Sequence, residues 1–261
     1  MDGEHTVGSG LHVEQSLPGY VRLEAGADGS TGAVVRHAPA LAGRGREVLA
    51  HLEAGLSGLP GLLGLPSPGL EALIVADEDW NEAPRDNARP YPTGLPYFTR
   101  SAEPPAIVIP ERLSAAIRPG TEATLPLVVL HELAHAFLAG EVSAKTPAWL
   151  RELPPQVASA AVARRQRLPL DEHLAEIESP GFTVRGFRTP AGAEEQMAFQ
   201  NLLLKLGAKA LDEFGEGFLR HLVGSLREEN EVGEARAEEL LTEALGEGGR
   251  GWLAAREEFQ G

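Results

Sequence analysis

The run Thr124-Leu125-Pro126-Leu127-Val128-Val129-Leu130-His131-Glu132-Leu133-Ala134-His135-Ala136-Phe137-Leu138-Ala139-Gly140 decides how this chain is built. Its apolar residues fall on nearly every face of a helix, so the pattern predicts a helix buried between other elements rather than one lying on a surface. Thr124 is placed to cap it and Gly140 to end it. Within it sits His131-Glu132-Leu133-Ala134-His135. Positions i and i+4 of a helix share a face, so both imidazoles can point at one metal ion. Glu132 neighbours His131 around the helix, too close for a comfortable third ligand but well placed to take a proton from an activated water. Two imidazoles and a carboxylate in an apolar helix need partners, because unpaired buried polar groups are costly, and a metal supplies them together.

A zinc site needs a third protein ligand, and two carboxylates downstream are candidates. Glu141 lies six residues past His135 but beyond Gly140, where the helix should have ended. Glu152 closes the segment Thr146-Pro147-Ala148-Trp149-Leu150-Arg151-Glu152, in which Thr146 reads as an N-cap and Pro147 as the first helical residue. Leu153-Pro154-Pro155-Gln156 follows. Two prolines remove two backbone donors, so this second helix is expected to kink or stop just after Glu152.

Outward from these segments, the first part of the chain mixes strands with helices. Tyr20–Glu24, Gly32–Arg36, Leu73–Val75 and Ala106–Ile109 read as strands. Leu41, Val48, Leu49, Leu52 and Leu56 recur at helical spacing until Gly58-Leu59-Pro60-Gly61, which is expected to stop that helix. Asp77 to Glu103, rich in Pro, Asn, Asp and Gly, reads as a long loop or hairpin. After residue 140 the pattern is helical throughout, with helices expected near 147–153, 156–166, 191–206, 208–226, 234–245 and 249–259. The expected class is α+β: an N-terminal lobe of mixed sheet plus helices over 1–140, ending in the metal helix, and a mostly helical C-terminal lobe over 141–261 carrying the third ligand, the two forming one catalytic domain.

Composition narrows the chemistry. The 261 residues carry a formal charge of −15, which argues against a nucleic-acid partner and against an anionic membrane. Cysteine is absent, so disulfides, thiolate metal sites, iron–sulfur clusters and cysteine nucleophiles fall away together, and any tightly held metal rests on His, Asp and Glu. Met1-Asp2-Gly3-Glu4-His5 lacks a basic start with an apolar run behind it, so no signal peptide is expected and a cytoplasmic location is.

The paired-His helix followed by Trp149-Leu150-Arg151-Glu152 resembles the gluzincin zinc peptidases, the thermolysin- and aminopeptidase-like clan. In that clan a Trp-Leu-x-Glu element provides the third ligand, and the sixteen residues between His135 and Glu152 are close to the usual gap. The resemblance extends over roughly residues 40–259 in the order of elements, with only the metal segments specific. It implies a zincin-like fold and one Zn2+ held by His131, His135 and Glu152. Glu132 would act as general base toward metal-activated water, the substrate being a peptide or protein. It also implies that Ile107-Val108-Ile109 is an edge strand pairing with bound peptide. Clan members usually oppose the catalytic Glu with a Tyr or His, but Tyr20, Tyr91 and Tyr97 all precede the metal helix, and the downstream candidates are His173 and His221. Two other readings stand beside this one. The first is a catalytically impaired peptidase-like protein kept for binding or regulation. The second is a regulatory zinc protease that cleaves repressors, which also carries a His-Glu-x-x-His helix. The sequence does not specify cleavage preference or oligomeric state.

Overall fold

The computed structural model describes residues 11–12, 17–25, 32–86, 92–117, 120–178, 180–187 and 192–260. The class is α+β, a mixed sheet combined with many helices. Contacts divide the chain into two compact units. One holds Met1–Ala50 and Gly69–Ser114, the other His51–Pro68 and Ala115–Gly261. The helix carrying His131 and His135 belongs to the larger, helical unit.

Among the described residues, the main sheet of the first unit has five strands: β2 (Val21–Glu24), β3 (Val34–His37), β4 (Glu71–Val75), β5 (Tyr97–Thr99) and β7 (Ala106–Pro110). Their order across the sheet is β2-β3-β4-β7-β5, with β3, β4 and β7 parallel and the two outer strands antiparallel. A separate two-stranded pair joins β1 (Leu11–His12) to β6 (Ala102–Glu103). Every residue of β4 and β7 is buried, as expected of parallel strands that are apolar on both faces. The Ile107-Val108-Ile109 strand, expected at an edge, is instead interior, flanked by β4 and β5. Its unbroken apolar run needs cover on both sides, and the edge position falls to the shorter β5. Leu73, Val75, Val108, Trp80 and Tyr97 share one core cluster, with the Trp80 and Tyr97 rings edge-to-face at 5.8 Å. The one charged side chain buried within these strands, Glu71, takes a 2.5 Å hydrogen bond from Arg36 Nε on the adjacent strand. The Asp77–Glu103 stretch holds a short 3-10 turn at Asp77–Glu82 before β5 and β6. Tyr91 lies outside the described residues.

Helix α1 (Ala42–Leu63) runs straight through Gly58 and Pro60, where it was expected to stop. Leu59, Leu62 and Leu63 continue its buried stripe, and their burial outweighs the poor propensity of the two breakers. In the second unit follow α2 (Thr124–Leu138), α3 (Ala148–Arg165), α4 (Leu170–Glu176), α5 (Ala193–Phe214), α6 (Gly217–Arg227), α7 (Glu234–Leu245) and α8 (Gly249–Ala254). α2 is buried almost all round, with Leu130 and Leu133 fully enclosed, as its all-face apolar pattern requires. Ala123, not Thr124, is its N-cap residue.

The proline break does not occur either. α3 continues through Pro154 and Pro155 to Arg165 as one helix. Leu153 and Val157–Ala163 are buried on and beyond the prolines, and packing against α2 and α5 offsets the lost backbone bonds. Two glycines shape the partner helix. A Cβ on Gly207 would sit 2.8 Å from Val157 Cγ2, so α5, expected to end there, passes through at close quarters with α3. The actual break comes at Gly215, whose φ of 70° suits glycine alone, splitting the helix expected over 208–226. No described helix is long and apolar enough to cross a membrane.

Candidate metal centre

The i, i+4 spacing on α2 does what helix geometry demands: the Nε2 atoms of His131 and His135 are 3.0 Å apart, their rings near-perpendicular at 82°. The third group comes from the second turn of α3. Glu152 Oε2 lies 3.0 Å from His135 Nε2 and 3.4 Å from His131 Nε2. Side-chain exposures of 11 % for His131, 27 % for His135 and 22 % for Glu152 leave the cluster recessed yet reachable from solvent. Among the described residues this is the one group of three such side chains close enough to share an ion.

Trp149 and Leu150 explain how α3 delivers the carboxylate. Leu150 is fully buried, and Trp149 donates from Nε1 to Glu234 Oε2 of α7 at 2.9 Å while its ring meets Phe259 edge-on at 5.1 Å. The first turn of α3 is therefore anchored on one side and Glu152 faces α2 on the other. Glu152 Oε2 also accepts a hydrogen bond from Gln200 Nε2 of α5 at 2.8 Å, and Gln200 Oε1 in turn accepts one from Gln156 Nε2 at 2.7 Å.

Electrostatics make the three groups interdependent. Burial by itself depresses the His135 pKa, but the charge and hydrogen bond of Glu152, joined by the charge of Glu132, carry it up to about 9. Burial likewise favours a protonated Glu152, yet the neighbouring imidazoles of His135 and His131 hold its carboxyl well below the usual carboxylate range. Glu132 is buried on α2, and its effect on His135 puts its charge within electrostatic reach of the cluster.

The donor set fits a metal ion. Three atoms separated by 3.0, 3.0 and 3.4 Å have a common point about 1.8 Å from each, close to the ~2.0–2.2 Å of zinc–nitrogen and zinc–oxygen bonds. The same three lone pairs crowded together without a cation would rely on shared protons alone. One partner is missing from the outer sphere: His131 Nδ1 is buried without a hydrogen bond among the described residues, whereas Glu152 Oε2 accepts one from Gln200.

No protein-family model matches this chain, and no curated protein matches it.

All of His131, His135 and Glu152 are brought together, with Glu132 beside them on α2. Glu141 is not: it accepts a 2.5 Å hydrogen bond from Arg227 Nε in a partly exposed ion pair. Tyr20 donates to Asp79 Oδ2 and Tyr97 to the Pro84 carbonyl, both within the first unit. His173 is buried with Nδ1 2.7 Å from Thr121 Oγ1, and His221 is exposed on α6. Gln200 and Gln156 had no place in the sequence reading. Gln156 could have been found, since it follows Glu152 by one helical turn on the same face. Gln200 carries no such signal, because it meets Glu152 only through tertiary packing.

Proposed function

We propose that this chain is a zinc-dependent peptide-bond hydrolase of the gluzincin type, zincin-like in fold, acting on peptide or protein substrates in the cytoplasm. The observation that carries the reading is the convergence of Glu152 from α3 with His131 and His135 from α2, beside the buried Glu132. A zinc ion at this cluster supplies Lewis-acid chemistry, lowering the pKa of water and polarising a carbonyl. His131 and His135 would hold it as neutral donors and Glu152 as an anionic one. Glu132 takes one proton from the attacking water as its oxygen bonds to the scissile carbonyl carbon. It then delivers that proton to the amine nitrogen as the carbon–nitrogen bond breaks.

Two measurements test this. Purified chain reconstituted with zinc and freed of excess ion is expected to hold one equivalent; chain that stays metal-free overturns the proposal. Glu132→Gln is expected to keep that equivalent and lose peptide hydrolysis by at least about a hundredfold, the lower end of general-base contributions. Undiminished turnover by this variant would remove Glu132 from the role of base. A second reading, a peptide-binding protein without turnover, draws on the engagement of both described tyrosines elsewhere. It predicts the zinc equivalent in the parent chain with no cleavage of a peptide library.

A further inference from the structure

We infer that Gln200 is the positioning residue of the metal centre, aiming the Glu152 carboxylate at the two imidazoles through an amide relay that starts at Gln156. The inference rests on the metal reading above and deepens it. Glu152 stands on a different helix from the two histidines, so backbone geometry alone does not set its distance to them. Its side chain has three rotatable bonds, and holding it in one rotamer against solvent costs entropy unless a fixed partner takes up the oxygen. Gln200 provides that partner at 2.8 Å.

The relay has one workable direction. Gln156, 7 % exposed, donates to Gln200 Oε1 at 2.7 Å, which fixes the Gln200 amide with its NH2 toward Glu152. Turned over, Gln200 would present a carbonyl oxygen to a carboxylate, a repulsive contact between two acceptors. The neutrality of the donor matters as much as its place. A Lys or Arg at 200 would neutralise Glu152 and place a like charge beside the ion, weakening the anionic ligand. An amide orients the carboxylate and leaves its charge for the metal. The helix bearing Gln200 is itself held close: Gly207, two turns along α5, lets that helix approach Val157, the residue after Gln156.

The test uses the full chain, with Zn2+ affinity read by competition against a chromogenic chelator and the Co2+ form read by its visible absorption. Gln200→Met keeps length and volume but removes both amide groups. Gln156→Met keeps Gln200 and the volume at 156 but removes the donor that fixes the Gln200 amide, so the amide is free to turn over. Each variant is expected to bind Zn2+ about tenfold to a hundredfold more weakly than the parent and to shift the Co2+ absorption bands. Metal-free unfolding midpoints are expected to stay close to the parent's. If the parent chain takes up no ion, the metal reading itself fails and the relay falls with it. If the parent binds one ion and both variants bind it as tightly with unchanged Co2+ bands, the metal reading stands and Gln200 is merely a packing residue. Should one variant not fold, the other still decides, since either alone breaks the relay.

Discussion

At His173 the ring is 3 % exposed, and burial pulls its pKa down to about 4. The sign follows from linkage. In the unfolded chain the ring titrates near 6.5, so between pH 6.5 and 4 the unfolded state binds the proton and the folded state does not. The stability this residue contributes is complete above about pH 6.5 and is lost as pH falls toward 4. His173→Leu removes the titration while keeping a buried side chain of similar bulk. Between pH 7 and 4.5 the parent chain is expected to lose about 2.5 kcal/mol more than this variant, measured by denaturant unfolding at both pH values. Equal losses would mean the ring is protonated in the folded state. The same scale shows how differently two candidate ligands were legible. Glu141 and Glu152 are both carboxylates within one short stretch, and they were separated by the helix end expected at Gly140 and by the Trp-Leu-x-Glu resemblance. Glu141 proves to be occupied by Arg227, a residue far away in the chain, and no local pattern announces such a partner.

Among the elements, α3 and α5 show packing overriding local propensity. Pro154 and Pro155 forecast a break, and Gly207 forecast a helix end, yet both helices run on. Each signal was correct about the local cost and silent about the buried faces that offset it. Gly207 gives a direct check. Gly207→Ala gains about 1 kcal/mol of helix propensity, but its Cβ meets the stiff, β-branched Val157 side chain at 2.8 Å. Overpacking of that kind costs about 1–3 kcal/mol, so a net loss of stability is expected. Adding Val157→Ala should give a double variant more stable than the sum of the two single effects, as neighbouring sites that share a clash do not add. A Gly207→Ala chain more stable than its parent would show that the two helices have room to separate.

For the molecule as a whole, ligand linkage is the decisive measurement. Anything that binds the folded chain alone stabilises it, by about 4 kcal/mol at a free concentration a thousand times its Kd. At that excess zinc is expected to raise the unfolding midpoint by roughly 10 °C, given about 2–4 °C per kcal/mol for a chain near this size. Chelation should reverse the rise, and Glu152→Ala should abolish most of it. A midpoint indifferent to zinc in the parent chain would mean no ion is held. The charge of −15 belongs to this scale too, as a matter of solubility and steering rather than of fold.

What the sequence determined by itself was whatever depends on neighbours along the chain. Helical periodicity put His131 and His135 on one face, and unbroken apolar runs made Leu73–Val75 and Ala106–Ile109 buried strands. Tertiary structure alone decided the rest. It made Ile107–Ile109 an interior strand, carried α3 through its prolines, paired Glu141 with Arg227, and set Gln200 against Glu152. The reason is common to all four: each turns on residues distant in the chain meeting at a few ångströms, and the free energy of that meeting exceeds the local preferences that sequence patterns report.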